Sequence, residues 1–271
     1  MGDINTLKNI LLFAVKNGCK EIRLSTGSLP LLTNNDGKTT YLNGILPVSS
    51  NLIEELRKRY MSGNRDENSS WDETVIMSVA EQEFLLMAVG DSLVFRYLPL
   101  VHPIDNMDKS LSSACYNSKG IIIVSSKLQE QRFLNSYSIA SYIASNRKIT
   151  MVIIEKNKLF SLKDLSSNII NIYKPETELD VLIRIADQIS SECVLVPDCT
   201  SESAISLLEN LSYNKLVVVG TTPQLAKEMD KSNVLHLITV SEDGMISTKT
   251  DPELKIYKDV ITKNLRGYNH A

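Results

Sequence analysis

Between Thr6 and Asn17 the apolar residues Leu7, Ile10, Leu11, Ala14 and Val15 recur at helical spacing, and Gly18 follows as a stop. The period then drops to two. Ile22 and Leu24 alternate with Glu21 and Arg23, predicting a strand over Glu21–Ser25, with a second at Leu29–Thr33. Asn35-Asp36-Gly37 is a hairpin signal before Lys38–Leu42. Helical spacing returns at Asn51–Met61, where Leu52, Ile53, Leu56 and Tyr60 share a face and Ser49 or Ser50 is the N-cap. A polar loop is expected over Ser62–Ser70, and Trp71 reads as packing or as a partner anchor. Three strands at Thr74–Val79, Glu83–Val89 and Leu93–Leu98 then complete an α+β region with a mostly antiparallel sheet.

Pro99, Pro103 and the polar run Asp105–Ser113 read as a linker. Beyond Lys119 the strands lose their alternation. Gly120–Val124, Thr150–Glu155, Cys193–Val196, Lys215–Gly220 and Val234–Val240 are continuous apolar or β-branched runs, and Ser167–Tyr173 is a further candidate. Helices are expected between them at Gln129–Ser145, Glu178–Ile189, Glu202–Leu211 and Gln224–Met229. Apolar strands alternating with helices predict a mainly parallel sheet covered on both faces. Glu242-Asp243-Gly244 predicts a hairpin into Met245–Thr248, and one helix is expected in the tail Pro252–Ala271. The domain reading is therefore 1–104, a linker at 105–116, and 117–271.

The 271 residues suffice for two domains with real cores. A net charge of −3 without a Lys/Arg block argues against a nucleic-acid partner. The apolar runs fall short of the ~18 residues a membrane span needs, and no signal peptide is read at the N-terminus. The expectation is a cytoplasmic protein without direct membrane insertion. Cys19, Cys115, Cys193 and Cys199 are scattered without a CxxC pair, and Cys193 and Cys199, which flank an apolar run, read as buried structural thiols. His102, His236 and His270 have no metal-ligand spacing, so no metal site is predicted.

One segment, Phe13-Ala14-Val15-Lys16-Asn17-Gly18-Cys19-Lys20-Glu21-Ile22-Arg23-Leu24-Ser25-Thr26-Gly27-Ser28-Leu29-Pro30, is similar to a known pattern. It resembles the helix and Gly-Ala-Ser-Asp-Leu-His-Leu-Ser-Ala-Gly-x-x-Pro of the type IV pilus retraction ATPases, the PilT-like branch of the type II/IV secretion ATPases. Asp36-Gly37 falls where that family has Val-Asp-Gly, and Phe95-Arg96-Tyr97-Leu98-Pro99 looks like its Phe-Arg-x-Ile-Pro. The likeness runs over roughly residues 4 to 225, in the second half through order and pattern. It implies a small PAS-like α+β domain followed by a RecA-like, P-loop-type α/β domain, here truncated at its C-terminus.

Laid on that family, the positions of the nucleotide site are Ser126, Glu130, Arg132, Phe133, Glu155, Asp198 and Arg96. A phosphate-binding loop needs glycines so that backbone N–H groups can curl around the anion. It also needs a lysine for the terminal phosphates and a hydroxyl for Mg²⁺. The loop here reads Ser125-Ser126-Lys127-Leu128-Gln129-Glu130-Gln131-Arg132-Phe133, with no glycine. The resemblance places Arg132 at the lysine, Phe133 at the metal-binding hydroxyl, and Glu130 where phosphate would sit. Glu155 falls on the acidic box and Asp198 on the Walker B acid. Plain readings stand beside these: Glu155 as a solvated or salt-bridged carboxylate, Asp198 as N-cap of the following helix, Arg96 as a solvated strand residue. The histidine box reads Gly220-Thr221-Thr222-Pro223 without a histidine. The family's intersubunit arginines fall on Glu83 and Leu85, with Arg96 alone retained.

These residues argue against ATP hydrolysis and predict no catalytic residue and no cofactor. The expected function is a noncatalytic pseudo-ATPase that scaffolds or regulates type IV pilus or type II secretion machinery. Its partners would be motor ATPases or inner-membrane platform components, through which it would reach the membrane periphery. A divergent ATP-binding motor and a small-ligand or nucleotide-sensing module remain as alternatives. A ring like the family's, a dimer and a monomer all stay open.

Overall fold

The structure is a computed structural model that describes residues 4–60, 74–103, 107–162, 168–174, 176–229 and 233–241, together with the backbone of strands at 246–250 and 253–257. It divides into two units, Met1–Pro99 and Leu100–Ala271. The loop expected at 62–70 and Trp71 lie outside the described residues.

In the first unit, helix α1 (Ile4–Lys16) buries Leu7, Ile10, Leu11 and Ala14, the stripe its periodicity predicts. Gly18 takes φ +68°, a left-handed conformation that releases the chain into strand β1 (Cys19–Ser25). Helix α2 (Ser50–Tyr60) buries Leu52, Ile53 and Leu56, and its Leu52 N–H donates to Ser49 Oγ, so Ser49 is the cap. The remaining strands are β2 (Leu31–Asn34), β3 (Thr39–Tyr41), β4 (Thr74–Val79), β5 (Gln82–Val89) and β6 (Ser92–Leu98). They form one antiparallel sheet in the order β3-β2-β1-β6-β5-β4. Leu11, Ile22, Leu24, Leu56, Phe84 and Phe95 are the centre of this unit's core.

The second unit carries α3 (Lys109–Cys115), β7 (Gly120–Ser126), α4 (Gln129–Asn146), β8 (Thr150–Glu155), β9 (Asn168–Tyr173), α5 (Leu179–Gln188) and β10 (Cys193–Cys199). It continues with α6 (Glu202–Ser212), β11 (Leu216–Thr221), α7 (Pro223–Glu228), β12 (Val234–Val240), β13 (Ile246–Thr250) and β14 (Glu253–Tyr257). The sheet order is β14-β13-β12-β7-β11-β10-β8-β9, parallel from β12 to β9 and antiparallel at β13 and β14. Strands β7 and β11 are buried along their whole length because helices cover both faces. One core packs α3 and α4 against Ile122, Val124, Met151, Ile153, Leu195 and Val218. The other packs α5, α6 and α7 against Ile121, Ile123, Val152, Val194, Val196 and Val219. Alternate residues of the same strands thus serve opposite faces, as the pleat requires.

One expectation is corrected and one strand is added. The segment read as a linker contains α3, whose Leu111, Ala114 and Cys115 are buried in the core shared with α4. In the tail, residues 253–257 form strand β14 against β13, an element the sequence reading did not include, and the rest of the stretch where a helix was expected lies outside the described residues. Leu254 and Ile256 alternate with Glu253, Lys255 and Tyr257, a period of two that sheet pairing exploits.

Candidate functional site

The site lies at the C-terminal ends of β7, β10 and β11, the edge where open parallel sheets take their ligands. Strand β7 ends at Ser126, and α4 starts at Gln129 with Leu128 as an N-cap that contributes no side-chain bond. Arg132 stands one turn into α4. Helical side chains lean toward the N-terminus, so its guanidinium reaches back under the loop. There Nη1 donates to the carbonyls of Ser126 at 2.8 Å and Lys127 at 3.0 Å, and Nε donates to Asp198 Oδ1 at 2.7 Å. Gln129 Nε2 donates to the other carboxylate oxygen, Oδ2, at 2.6 Å. Arg132 is only 5% exposed. A buried cation in the first turns of a helix opposes the helix dipole, and the Asp198 carboxylate offsets it.

A bulge puts Asp198 there. Strand β10 pairs with β11 at Val196↔Val219 and again at Cys199↔Thr221, so Pro197 and Asp198 face the single residue Gly220. The extra residue turns Asp198 toward α4. It also brings the chain so close that a Cβ on Gly220 would lie 2.0 Å from the Pro197 carbonyl oxygen and 3.1 Å from Arg132 Cβ. Gly220 is therefore a steric necessity of the Arg132–Asp198 contact. Thr221 Oγ1 donates to the Cys199 carbonyl at 2.7 Å, and Thr222 caps α7 by accepting the Leu225 N–H.

Asp198 does not cap the next helix. Ser201 does, accepting the Ala204 N–H, which leaves Asp198 for Arg132. Ser126 is buried, and its hydroxyl accepts the Leu128 N–H at 3.3 Å. Phe133 points into the core with Tyr137 and Ile143. Glu130 is exposed in the first turn of α4, where its charge suits the helix dipole. Arg96 lies in the other unit, opposite Glu21 on β1, with Nη2 3.6 Å from Oε2 in a half-exposed pair. Such a surface pair contributes ~0–1 kcal/mol.

Glu155 belongs to a second polar cluster at the end of β8. It is neither solvated nor open. Tyr137 Oη donates to its Oε1, and Lys158 Nζ donates to its Oε2 at 2.6 Å. Lys158, 2% exposed, also reaches Tyr137 Oη at 3.1 Å and Asn171 Oδ1 at 3.0 Å. Three donors thus meet three acceptors, which is what lets a lysine be buried at all. Sequence reasoning did not find Lys158, Tyr137 or Asn171; the three-residue step from Glu155 to Lys158 is the one available signal. Burial pushes the Cys193 thiol up to about 12 and Cys199 up to about 11, so neither is a nucleophile at neutral pH. Among the described residues no three His, Cys, Asp or Glu side chains are grouped to hold a metal ion, and no helix is long and apolar enough to cross a membrane.

No family model and no curated protein matches the sequence. Solved structures share its fold. The pilus retraction motor PilT with bound ADP superposes with a TM-score of 0.62 at 15% identity, over 97% of this chain and 86% of that one. The ATPase DotB of Legionella pneumophila gives 0.60 at 12% identity, over 97% and 84%. DotB of Yersinia pseudotuberculosis gives 0.53 at 13%, over 100% and 84%. The chain therefore has the two-unit α/β fold of pilus-retraction and secretion motor ATPases.

Proposed function

We propose that this chain is a noncatalytic member of the motor-ATPase fold, acting as a scaffold or regulator in type IV pilus or type II secretion machinery. One observation carries the reading. The Arg132 guanidinium sits between the Ser126 and Lys127 carbonyls and the Asp198 carboxylate. A phosphate-binding loop offers an anion N–H groups and a free lysine ammonium. This loop turns carbonyl oxygens inward, and its cation is already neutralised. The acid at the second motor position, Glu155, is likewise paired with Lys158. With Phe133 in the core where a hydroxyl would hold Mg²⁺, the residues present do not fit Mg-ATP.

On this reading the chain works in the cytoplasm through protein partners: motor ATPases or the inner-membrane platform. Nucleic acid is not among them. The test is thermal unfolding with and without millimolar Mg-ATP and Mg-ADP. A binder at a hundredfold excess over Kd gains ~2.7 kcal/mol, a plain rise in midpoint. No shift is expected. A shift would overturn the reading in favour of a divergent nucleotide binder. With no shift, crosslinking in cells should capture pilus or secretion motor components.

A further inference from the structure

Outside that site, the strand β12 carries a histidine with nothing to bond to. His236 is 1% exposed, and neither Nδ1 nor Nε2 has a hydrogen-bond partner. It shares the face of Ile238 and Val240, which pack in the core with Leu111, Ala114 and Cys115 of α3. A bulge between Val234 and His236 sets that face, since these residues pair with Ile121 and Ile122 of β7 in turn. Strand β7 offers it only apolar neighbours, and β13 registers its Lys249 with Leu237 rather than with His236. From α3 the acting charge is Asp108, the N-cap, whose side chain makes no capping bond and accepts the Ser110 hydroxyl at 2.7 Å. Lys109 beside it is exposed, and the Cys115 thiol, at about 12, is uncharged. At the far end of α3, Arg147 of the α4 C-cap donates to the Cys115 and Asn117 carbonyls, and Tyr142 meets Ser112.

We propose that His236 is a proton-operated release for α3: neutral, it lets the helix dock, and protonated, it drives the N-terminal end of α3 away from β12. An imidazolium cannot stay unpaired in an apolar core. Water and the Asp108 carboxylate are its two ways out, and both require α3 to lift. The clamp at Arg147 keeps the other end in place, so the motion is local. Burial pushes the His236 pKa down, with Asp108 pulling partly the other way. The sign follows. Opened, the imidazole regains a pKa of about 6.5; docked, it resists the proton. Acid therefore favours the open form, by about tenfold between pH 7.5 and pH 5.5. This device is independent of the function proposed above.

Cys115 reports it: its backbone is held by Arg147, but its buried thiol lies 3.8 Å from Met107 Sδ, just ahead of α3, so lifting the N-terminal end uncovers the sulfur. Each cysteine of the full chain is labelled with 4,4′-dithiodipyridine, and its rate is divided by that of the urea-unfolded chain at the same pH. The normalised Cys115 rate should rise about tenfold from pH 7.5 to 5.5, while Cys19 and Cys199 stay protected. His236→Leu should abolish the rise, with His236→Gln in its place if the leucine variant does not fold. Ile238→Val, which loosens the same face without a titrating group, should raise labelling equally at both pH values. A pH-independent Cys115 rate, a rise kept without His236, or Cys199 rising in step would each overturn the proposal.

Discussion

The contact that carries the functional reading can be measured by a double-mutant cycle on Arg132 and Asp198. Their side chains are 7% and 17% exposed, and the carboxylate is 2.7 Å from Nε. Removing one partner of a buried pair costs ~3–5 kcal/mol, because a charge is left uncompensated. The lower end applies, since Asp198 retains some water and Gln129. Arg132→Met would leave the Ser126 and Lys127 carbonyls without donors; Asp198→Leu would leave the guanidinium with those carbonyls alone. Each should cost about 3 kcal/mol. The double variant, apolar on both sides, should return to within about 1–2 kcal/mol of the parent, a coupling of about 4–5 kcal/mol. Urea unfolding by circular dichroism is the assay, with the transition of residues 100–271 identified by hydrogen exchange in β10 and β11. At a slope of about 2 kcal/mol per molar urea, each single variant should lower the midpoint by about 1.5 M. Single costs under ~1 kcal/mol, or a double variant equal to their sum, would refute the reasoning, because Arg132 would then be solvated and available to a ligand.

Three further outcomes are expected. Gly220→Ala places a methyl 2.0 Å from the Pro197 oxygen, and should lower unit-two stability by about 2–3 kcal/mol as the bulge is forced apart. Lys158→Met strands the buried Glu155 carboxylate; about 3 kcal/mol should be lost at pH 7 by urea titration, and Glu155→Gln in the same background should recover part of it. Ser201→Ala deletes the cap of α6 and should cost about 1 kcal/mol, whereas Asp198→Asn should leave hydrogen exchange at the first turn of α6 unchanged.

The elements that hold the site were legible where one chemical signal dominated. Gly-Ile-Ile-Ile-Val at 120–124 has no polar face, so only a strand covered on both sides suits it. The stripe on α1 and the stop at Gly18 needed no tertiary information. The short helix α3 was missed because seven residues give less than two turns of pattern, and its burial comes from α4 and β12. Strand β14 was missed because its neighbour β13, not local preference, fixes its conformation.

The sequence by itself determined the two-unit α/β fold, the buried strands and the lack of glycine in the loop after β7, because hydrophobic period and backbone freedom are local properties of residue type. Only the tertiary structure decided what the polar residues do. By its sequence Asp198 was suited to cap a helix or to face a ligand. A bulge opposite Gly220 gave it to Arg132, 66 residues earlier in the chain. Glu155 could have been solvated until Lys158 and Tyr137 converged on it, with Asn171 holding Lys158 in place. A charge takes its role from the partner that satisfies it after burial, and partners distant in sequence are chosen by the packing of strands.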